Sequence, residues 1–146
     1  MSGVLLDANA LIALCWPAHE HHERMRSWFG SHARGGWASC AFTQAAFVRV
    51  VSQPAFAGRA LAVPQVGELL MRNTAHKHHR FLSAVPDLAA VLATCTGGLV
   101  GHRQVTDAWL LTTAAQHQMK FLSFDAGVPA LLATDAERQR HVLTPS

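Results

Sequence analysis

Residues 3–15 read GVLLDANALIALC, and this stretch decides the fold. The run from Gly3 to Leu6 is short and apolar and ends in a carboxylate. It predicts a buried strand with Asp7 at its carboxyl-terminal edge. Residues 8–15 have high helical propensity, and Pro17 stops the helix that they predict. A buried strand therefore leads directly into a helix, with a single acid between them.

The same alternation of helices and short apolar strands continues along the chain. Further helices are predicted over residues 18–31, 43–51 (with Thr43 as N-cap), 64–73, 86–93 (opened by Pro86) and 104–118. Further strands are predicted at residues 37–40, 80–82, 119–123 and 141–143, and residues 53–63 are predicted to form a loop. This order predicts an α/β domain with a mostly parallel central sheet, and the chain length suits one domain over residues 1–146.

Composition excludes several classes of protein. Hydrophobic residues make up 50% of the chain and charged residues 14%, which is too apolar for a disordered protein. No apolar stretch approaches the roughly 18 residues that span a bilayer, and no secretory signal is predicted. The three cysteines are odd in number and widely spaced, which favours free thiols and a cytoplasmic location. The net charge of +3 is compatible with nucleic-acid binding and equally with solubility alone.

Three acids stand apart from the surface charges. Asp7 ends the first predicted strand, Asp107 lies one turn into a predicted helix, and Asp125 follows the strand at residues 119–123. Side chains beyond the carboxyl ends of parallel strands line one crevice, so the three carboxylates are expected to meet there. Mg²⁺ or Mn²⁺ would relieve their mutual repulsion. The alternative is that Asp7 and Asp107 are helix caps and Asp125 is a turn residue.

Four segments in order resemble PIN-domain ribonucleases, specifically VapC-type toxins of toxin–antitoxin modules. The segments are residues 5–14 (LLDANALIAL), 43–49 (TQAAFVR), 101–111 (GHRQVTDAWLL) and 121–125 (FLSFD). The resemblance covers residues 3–130 and implies a PIN-like three-layer α/β/α fold. It further implies a Mg²⁺- or Mn²⁺-dependent endoribonuclease that cleaves a structured RNA and so inhibits translation and growth. A homodimer and a cognate VapB-type antitoxin are the implied partners.

The resemblance also assigns site residues. Asp7, Asp107 and Asp125 fall on acidic family positions and are the expected catalytic residues and metal ligands. Ala46 stands where many PIN domains carry a glutamate, so Thr43 or Gln44 is expected to supply a neutral oxygen, directly or through water, and Thr43 is the fourth expected catalytic residue. The missing carboxylate leaves open whether one or two ions bind. It also motivates an alternative function, a catalytically weakened PIN-fold module that binds antitoxin or RNA.

Basic residues near these segments are candidates for RNA binding. Arg49, Arg103 and His102 are the candidates, and the two arginines are predicted to contact RNA phosphates. Arg49 could instead pair with an active-site acid, and His102 could transfer a proton or serve the turn and its packing. Two histidine clusters, at residues 19–22 and 76–79, are interpreted as a solvated or RNA-facing basic rim. Zinc binding is the less favoured alternative, because the neighbouring residues are polar and neither cluster contains a cysteine.

Overall fold

Five parallel strands form one sheet in this computed structural model, which describes residues 3–145. Residues 1, 2 and 146 of the predicted domain lie outside the described part. The strands are β1 (Val4–Leu6), β2 (Trp37–Cys40), β3 (His79–Leu82), β4 (Lys120–Leu122) and β5 (Val142–Leu143). Their spatial order is β3-β2-β1-β4-β5, and every neighbouring pair is parallel. The predicted parallel sheet is confirmed, with β1 at its centre.

Eight helices accompany the strands in the described residues. They are α1 (Ala8–Cys15), α2 (His22–His32), α3 (Ala41–Val51), α4 (Pro54–Ala57), α5 (Val63–Thr74), α6 (Leu88–Thr94), α7 (Val105–Gln116) and α8 (Asp135–His141). Short 3-10 turns precede β2, α7 and α8, the second of them at His102–Gln104. Within residues 3–145, no helix is both long and apolar enough to cross a membrane.

Successive residues of the two central strands face opposite sides of the sheet, as strand geometry requires. Leu5 and Phe121 pack in a core with α6 and α7, whereas Leu6 and Leu122 pack in a second core with α1, α2, α3 and α5. All four side chains are 0% exposed, and each such burial contributes about 1.5–3 kcal/mol. Two cores on the two faces of one sheet make the expected three-layer α/β/α fold.

Several predicted helix starts were displaced. Helix α3 begins at Ala41 with Cys40 as its N-cap, so the prediction that Thr43 is the N-cap is wrong. Thr43 is the third residue of the helix, and its hydroxyl accepts a hydrogen bond from the backbone N–H of Cys40 at 3.0 Å. Helix α2 begins four residues later than predicted, at His22. Helix α6 begins at Leu88 rather than Pro86, because Asp87 is its N-cap and accepts from the N–H of Ala90 at 2.9 Å.

Two short helices were not predicted. Residues 54–57 form α4 inside the predicted loop, with Pro54 in its first turn and Gly58 ending it at φ 76°. Helix α8 buries no residue, so it lacks the apolar periodicity on which the prediction relied. It is stabilised locally, by the Thr134 cap on the N–H of Glu137 and by a 2.7 Å ion pair between Arg138 and Asp135.

Candidate active site

The carboxyl ends of the central strands position the three singled-out acids. Asp7 directly follows β1, and Asp125 lies three residues beyond the end of β4, the neighbour of β1. Asp107 is in the first turn of α7, which packs against both strands. Residues that are 100 or more positions apart in the chain are thus brought to the same edge of the sheet.

Asp7 is 7% exposed and fully engaged in hydrogen bonds. Its Oδ1 accepts from the N–H of Ala10 at 2.6 Å, which caps α1. Its Oδ2 accepts from the hydroxyl of Ser123 at 2.6 Å, and its own N–H donates to the carbonyl of Leu122 at 3.0 Å. The cap proposed as the alternative for Asp7 is therefore present, and it fixes the carboxylate at the sheet edge.

Ser123 is a residue that the sequence reasoning missed. It is 1% exposed, donates to Asp7 and accepts from the backbone N–H of Asp125 at 3.0 Å. One hydroxyl thus joins the ends of β1 and β4. The available signal is a serine at the end of an apolar strand, two residues before an acid, because a buried hydroxyl needs a polar partner.

Asp125 is exposed and forms a local turn. Its Oδ1 accepts from the N–H of Gly127 at 2.8 Å, the pattern of an Asx turn. The turn proposed as the alternative for Asp125 is therefore also present, with Oδ1 as the acceptor in it. The side chain remains close enough for its charge to act on the other two acids.

Electrostatic coupling links the three carboxylates. Burial, followed by the negative charges of Asp7 and Asp125, raises the pKa of Asp107 to about 6. Burial also raises the pKa of Asp7, against the hydrogen bonds from Ser123 and Ala10, and Asp125 adds to the rise. Within the described residues no cationic side chain is among the causes of these shifts, so only the two hydrogen bonds to Asp7 oppose the repulsion between the carboxylates.

The donor chemistry of this edge suits a hard divalent cation. Carboxylate oxygens are preferred by Mg²⁺ and Mn²⁺, and uncompensated repulsion favours a bound positive charge. However, no three His, Cys, Asp or Glu side chains in residues 3–145 lie close enough together to hold one ion. The three acids are therefore electrostatic neighbours but not a preassembled set of ligands.

Thr43, Gln44 and Ala46 lie at the start and middle of α3. Thr43 is 0% exposed, and its hydroxyl is committed to the backbone of Cys40, donating to the carbonyl at 3.1 Å. The Gln44 side chain donates to the hydroxyl of Ser39 at 3.1 Å. Ala46 is half-buried on the same helix face as Thr43. Of the two polar side chains, Thr43 commits its oxygen to these contacts, whereas Gln44 uses its amide nitrogen.

The candidate RNA-binding residues are exposed. His102 and Arg103 form the 3-10 turn directly before α7, next to the helix turn that carries Asp107. Arg49 lies in the last turn of α3, and in the described residues it forms no ion pair with an acid. Two of the three thus lie beside the acids, and the third lies two helical turns from the start of α3.

The histidine clusters form no zinc site in the part of the chain that the structure describes. His19 Nε2 contacts Asn9 Oδ1 at 2.8 Å, and His79 Nε2 contacts the Ser39 hydroxyl at 2.8 Å. His21 stacks on Phe124 with ring centroids 4.3 Å apart. The clusters serve hydrogen bonding and packing, and the first lies beside the segment that precedes Asp125.

Comparison with known proteins agrees with this architecture. The PIN domain family matches residues 4–131. Ribonuclease VapC38 of Mycobacterium tuberculosis is 43% identical over 124 residues, which cover 85% of this chain and 86% of that protein. Ribonuclease VapC44 of the same species is 39% identical over 140 residues, 96% and 97% of the two chains.

A solved structure also shares the fold. The structure of FitAB bound to IR36 DNA fragment contains a chain that superposes with a TM-score of 0.61 at 19% identity, covering 97% of this chain and 94% of that one. At this identity the likeness concerns the fold alone. The family match and the two relatives decide the assignment: the chain belongs to the PIN-domain family, among its VapC-type toxins.

Proposed function

We propose that this protein is a Mg²⁺- or Mn²⁺-dependent endoribonuclease, the toxin of a VapB–VapC pair, which cleaves a structured RNA and thereby inhibits translation and growth. The carrying observation is the pKa of Asp107, which burial and then the negative charges of Asp7 and Asp125 raise to about 6. The ribonuclease names of relatives at 39–43% identity supply the reaction class.

In this proposal Asp7, Asp107 and Asp125 hold the ion, Asp7 and Asp107 directly and Asp125 directly or through water. When bound, a divalent cation would lower the pKa of the attacking water and offset the negative charge on the phosphate. Asp7 is held in place by Ala10 and Ser123, so its carboxylate needs little reordering. Thr43 acts as a positioning residue, because its hydroxyl fixes the backbone of Cys40 where β2 meets α3.

The chain's own cations are proposed to bind the substrate. His102 and Arg103 precede the helix of Asp107, so a phosphate near the acids lies within range of their side chains. Arg49 is assigned an outer phosphate contact along α3. Unpaired loops of a structured RNA are the expected target, because their bases are accessible to a protein.

The decisive experiment compares two Asp→Asn variants that both preserve a helix cap. Asp7→Asn removes the charge at the proposed centre, and Asn still caps α1. Asp87→Asn makes the same change at the cap of α6, as a matched control. We expect chelator-sensitive cutting of a hairpin RNA by the wild type and by Asp87→Asn, and none by Asp7→Asn. Full activity of Asp7→Asn would refute the assignment.

The alternative function is a PIN-fold module that binds antitoxin or RNA without cutting. It is favoured by Ala46, which removes a family carboxylate, and by the lack of a preassembled ligand set in the described residues. If this alternative holds, the wild type and Asp7→Asn should both bind the hairpin RNA, and neither should yield cleavage products with any added metal ion. Cutting that disappears with chelator rules it out.

An apolar surface supports the proposed protein partners. Leu88, Leu92, Val100 and Val105, defined here as the apolar patch, are 54%, 55%, 93% and 45% exposed. They surround a groove of about 350 Å³ that is also lined by Trp109. Contiguous exposed apolar surface marks interaction sites. We assign the patch to homodimer formation, and a VapB-type antitoxin is the proposed second partner.

A further inference from the structure

A second cavity lies at the opposite edge of the sheet from the acids. It measures about 540 Å³ and is lined by side chains of α2, α5 and the start of β2. We define the basic pocket by six of its lining residues: His22, Arg26, Phe29, Trp37, Arg72 and His76. Leu14 at the far end of α1 also lines it, so roughly 10 Å of helix separate it from Asp7.

The charged side chains that line the basic pocket are all positive. Arg26 and Arg72 are exposed and form no ion pair within residues 3–145. No Asp or Glu is among the residues that line the cavity. His22 and Arg26 are four residues apart on α2, so both face the cavity from one side while Arg72 faces it from α5. Two unpaired guanidinium groups across a cleft favour an anion that accepts several hydrogen bonds.

The two imidazoles have defined hydrogen-bond roles. His22 Nδ1 lies 2.7 Å from the carbonyl of Ala13, so this nitrogen is the donor. His76 Nδ1 accepts from the N–H of His78 at 3.1 Å and from the indole N–H of Trp37 at 3.4 Å. A nitrogen that accepts leaves the ring proton of His76 on Nε2, which adds a further donor to the pocket.

An aromatic wall completes the basic pocket. Phe29 packs edge-on against Trp37, with ring centroids 5.5 Å apart, and against His76 at 5.0 Å. Trp37 is 1% exposed and forms a rigid floor, whereas Phe29 and His76 are half-buried and offer ring surface to the cavity. A flat ring beside an anion is the chemistry of a nucleotide, which such aromatic and cationic surfaces bind.

We propose that the basic pocket binds one nucleotide of the RNA substrate, with its phosphate between Arg26 and Arg72 and its base against Phe29 and His76. The inference rests on the proposed function for its choice of RNA as the ligand. Because the pocket is remote from the acids, it holds a part of the RNA away from the bond that is cut. A structured RNA binds both the basic pocket and the site of the three acids, whereas a short oligonucleotide binds only the site of the acids.

The test measures binding of a fluorescently labelled hairpin RNA to the full chain in EDTA, so that it does not depend on cutting. The test variant is Arg26→Gln/Arg72→Gln, and the matched control is Arg59→Gln/Arg140→Gln, which removes the same charge from exposed arginines outside the pocket. We expect about a tenfold loss of affinity in the test variant only. The slope of log affinity against log salt should fall by about 0.7, because both arginines contact the same phosphate and one phosphate contact is lost.

Cleavage kinetics separate this inference from the proposed function. The test variant should raise KM for the hairpin RNA while kcat, and the cutting of a short unstructured oligonucleotide, stay at the wild-type level.

Equal binding by the test and control variants would overturn the inference even if both cut RNA. Selective loss of binding without any cutting by the wild type would support the pocket and reject the nuclease. Inorganic phosphate competing as strongly as the hairpin RNA would overturn the assignment to RNA. Unchanged thermal unfolding of both variants excludes a folding defect.

Discussion

The hydroxyl of Ser123 donates a 2.6 Å hydrogen bond to the carboxylate of Asp7, although 116 residues separate them in the chain. The contact exists because β1 and β4 are neighbours in the sheet, with Leu6 opposite Leu122. The same hydroxyl accepts from the N–H of Asp125. The arrangement of the candidate site therefore depends on one buried side chain that bears no charge itself.

Ser123→Ala should weaken both the fold and the site. The loss of a buried hydrogen bond to a carboxylate is expected to lower the free energy of unfolding by about 2 kcal/mol. RNA cleavage should fall by a larger factor than stability explains, because Asp7 and Asp125 lose their shared partner. Ser123→Thr, which keeps the hydroxyl, should restore both properties, as measured by urea unfolding and cleavage rate.

Ser39→Ala is the matched control for this change. Ser39 is also fully buried and hydrogen-bonded, to Gln44 and His79, but it does not contact an acid. The Ser39→Ala variant should have a lower free energy of unfolding, but its cleavage rate should fall no further than this loss of stability explains. If both alanine variants lose cleavage only in proportion to stability, Ser123 has no role in positioning the site.

The raised pKa of Asp107 predicts an unusual dependence of stability on pH. Its pKa is about 6 in the folded protein, against 3.8 as the ordinary value, so the folded state binds this proton more tightly. The stabilising contribution is therefore complete below pH 3.8 and is lost as the pH rises through about 6. Without divalent cations, Asp107→Asn should be more stable than the wild type at pH 7.5, and the difference should shrink towards pH 4.

Chemical unfolding with urea across this pH range, in EDTA, measures the effect. Asp87→Asn is the control, because Asp87 also caps a helix but is not among the charges that raise the pKa of Asp107. Added Mg²⁺ should stabilise the wild type and remove its disadvantage relative to Asp107→Asn. An Asp107→Asn variant that is no more stable than the wild type at pH 7.5 would contradict the raised pKa of Asp107.

The sequence predicts the strands and the sheet edge of this protein better than the side-chain hydrogen bonds that link them. The apolar run at residues 3–6 and the acid after it were sufficient for β1 and for the sheet edge that carries Asp7. The bridge through Ser123 was not predictable, because it depends on β4 lying beside β1, and pairing between distant strands leaves no local pattern. Thr43 is predicted as the N-cap of α3 but is the third residue of that helix, because its bond to the backbone of Cys40 depends on a turn whose geometry the sequence does not specify.

Ala46→Glu should restore a carboxylate that this chain lacks. Ala46 is half-buried on the face of α3 that also carries Thr43, near the carboxyl end of β2. A fourth acid at this edge is expected to tighten binding of Mn²⁺ and to lower the metal concentration that half-saturates cleavage. Ala45→Glu is the matched control, because Ala45 is exposed on another side of the same helix.

Isothermal titration with Mn²⁺ and cleavage at varied Mg²⁺ concentration test this prediction. The added charge should also destabilise the protein when metal is absent, since no cation in the described residues offsets the existing acids. If Ala46→Glu and Ala45→Glu bind Mn²⁺ equally well, position 46 does not face the ion.

The apolar patch predicts self-association. Leu88 and Leu92 are four residues apart on α6 and form one exposed ridge, beside Val100, which is 93% exposed. Burying such side chains against a second copy removes apolar area from water, at about 25 cal/mol per Å². Leu92→Asp combined with Val100→Asp should therefore shift the protein from dimer to monomer in sedimentation velocity, with little change in the unfolding of the monomer. Val63→Asp, at a position 57% exposed on α5, should leave the dimer intact. A wild type that sediments as a monomer at all concentrations, or a Val63→Asp variant that dissociates as readily, would show that the patch does not join two copies.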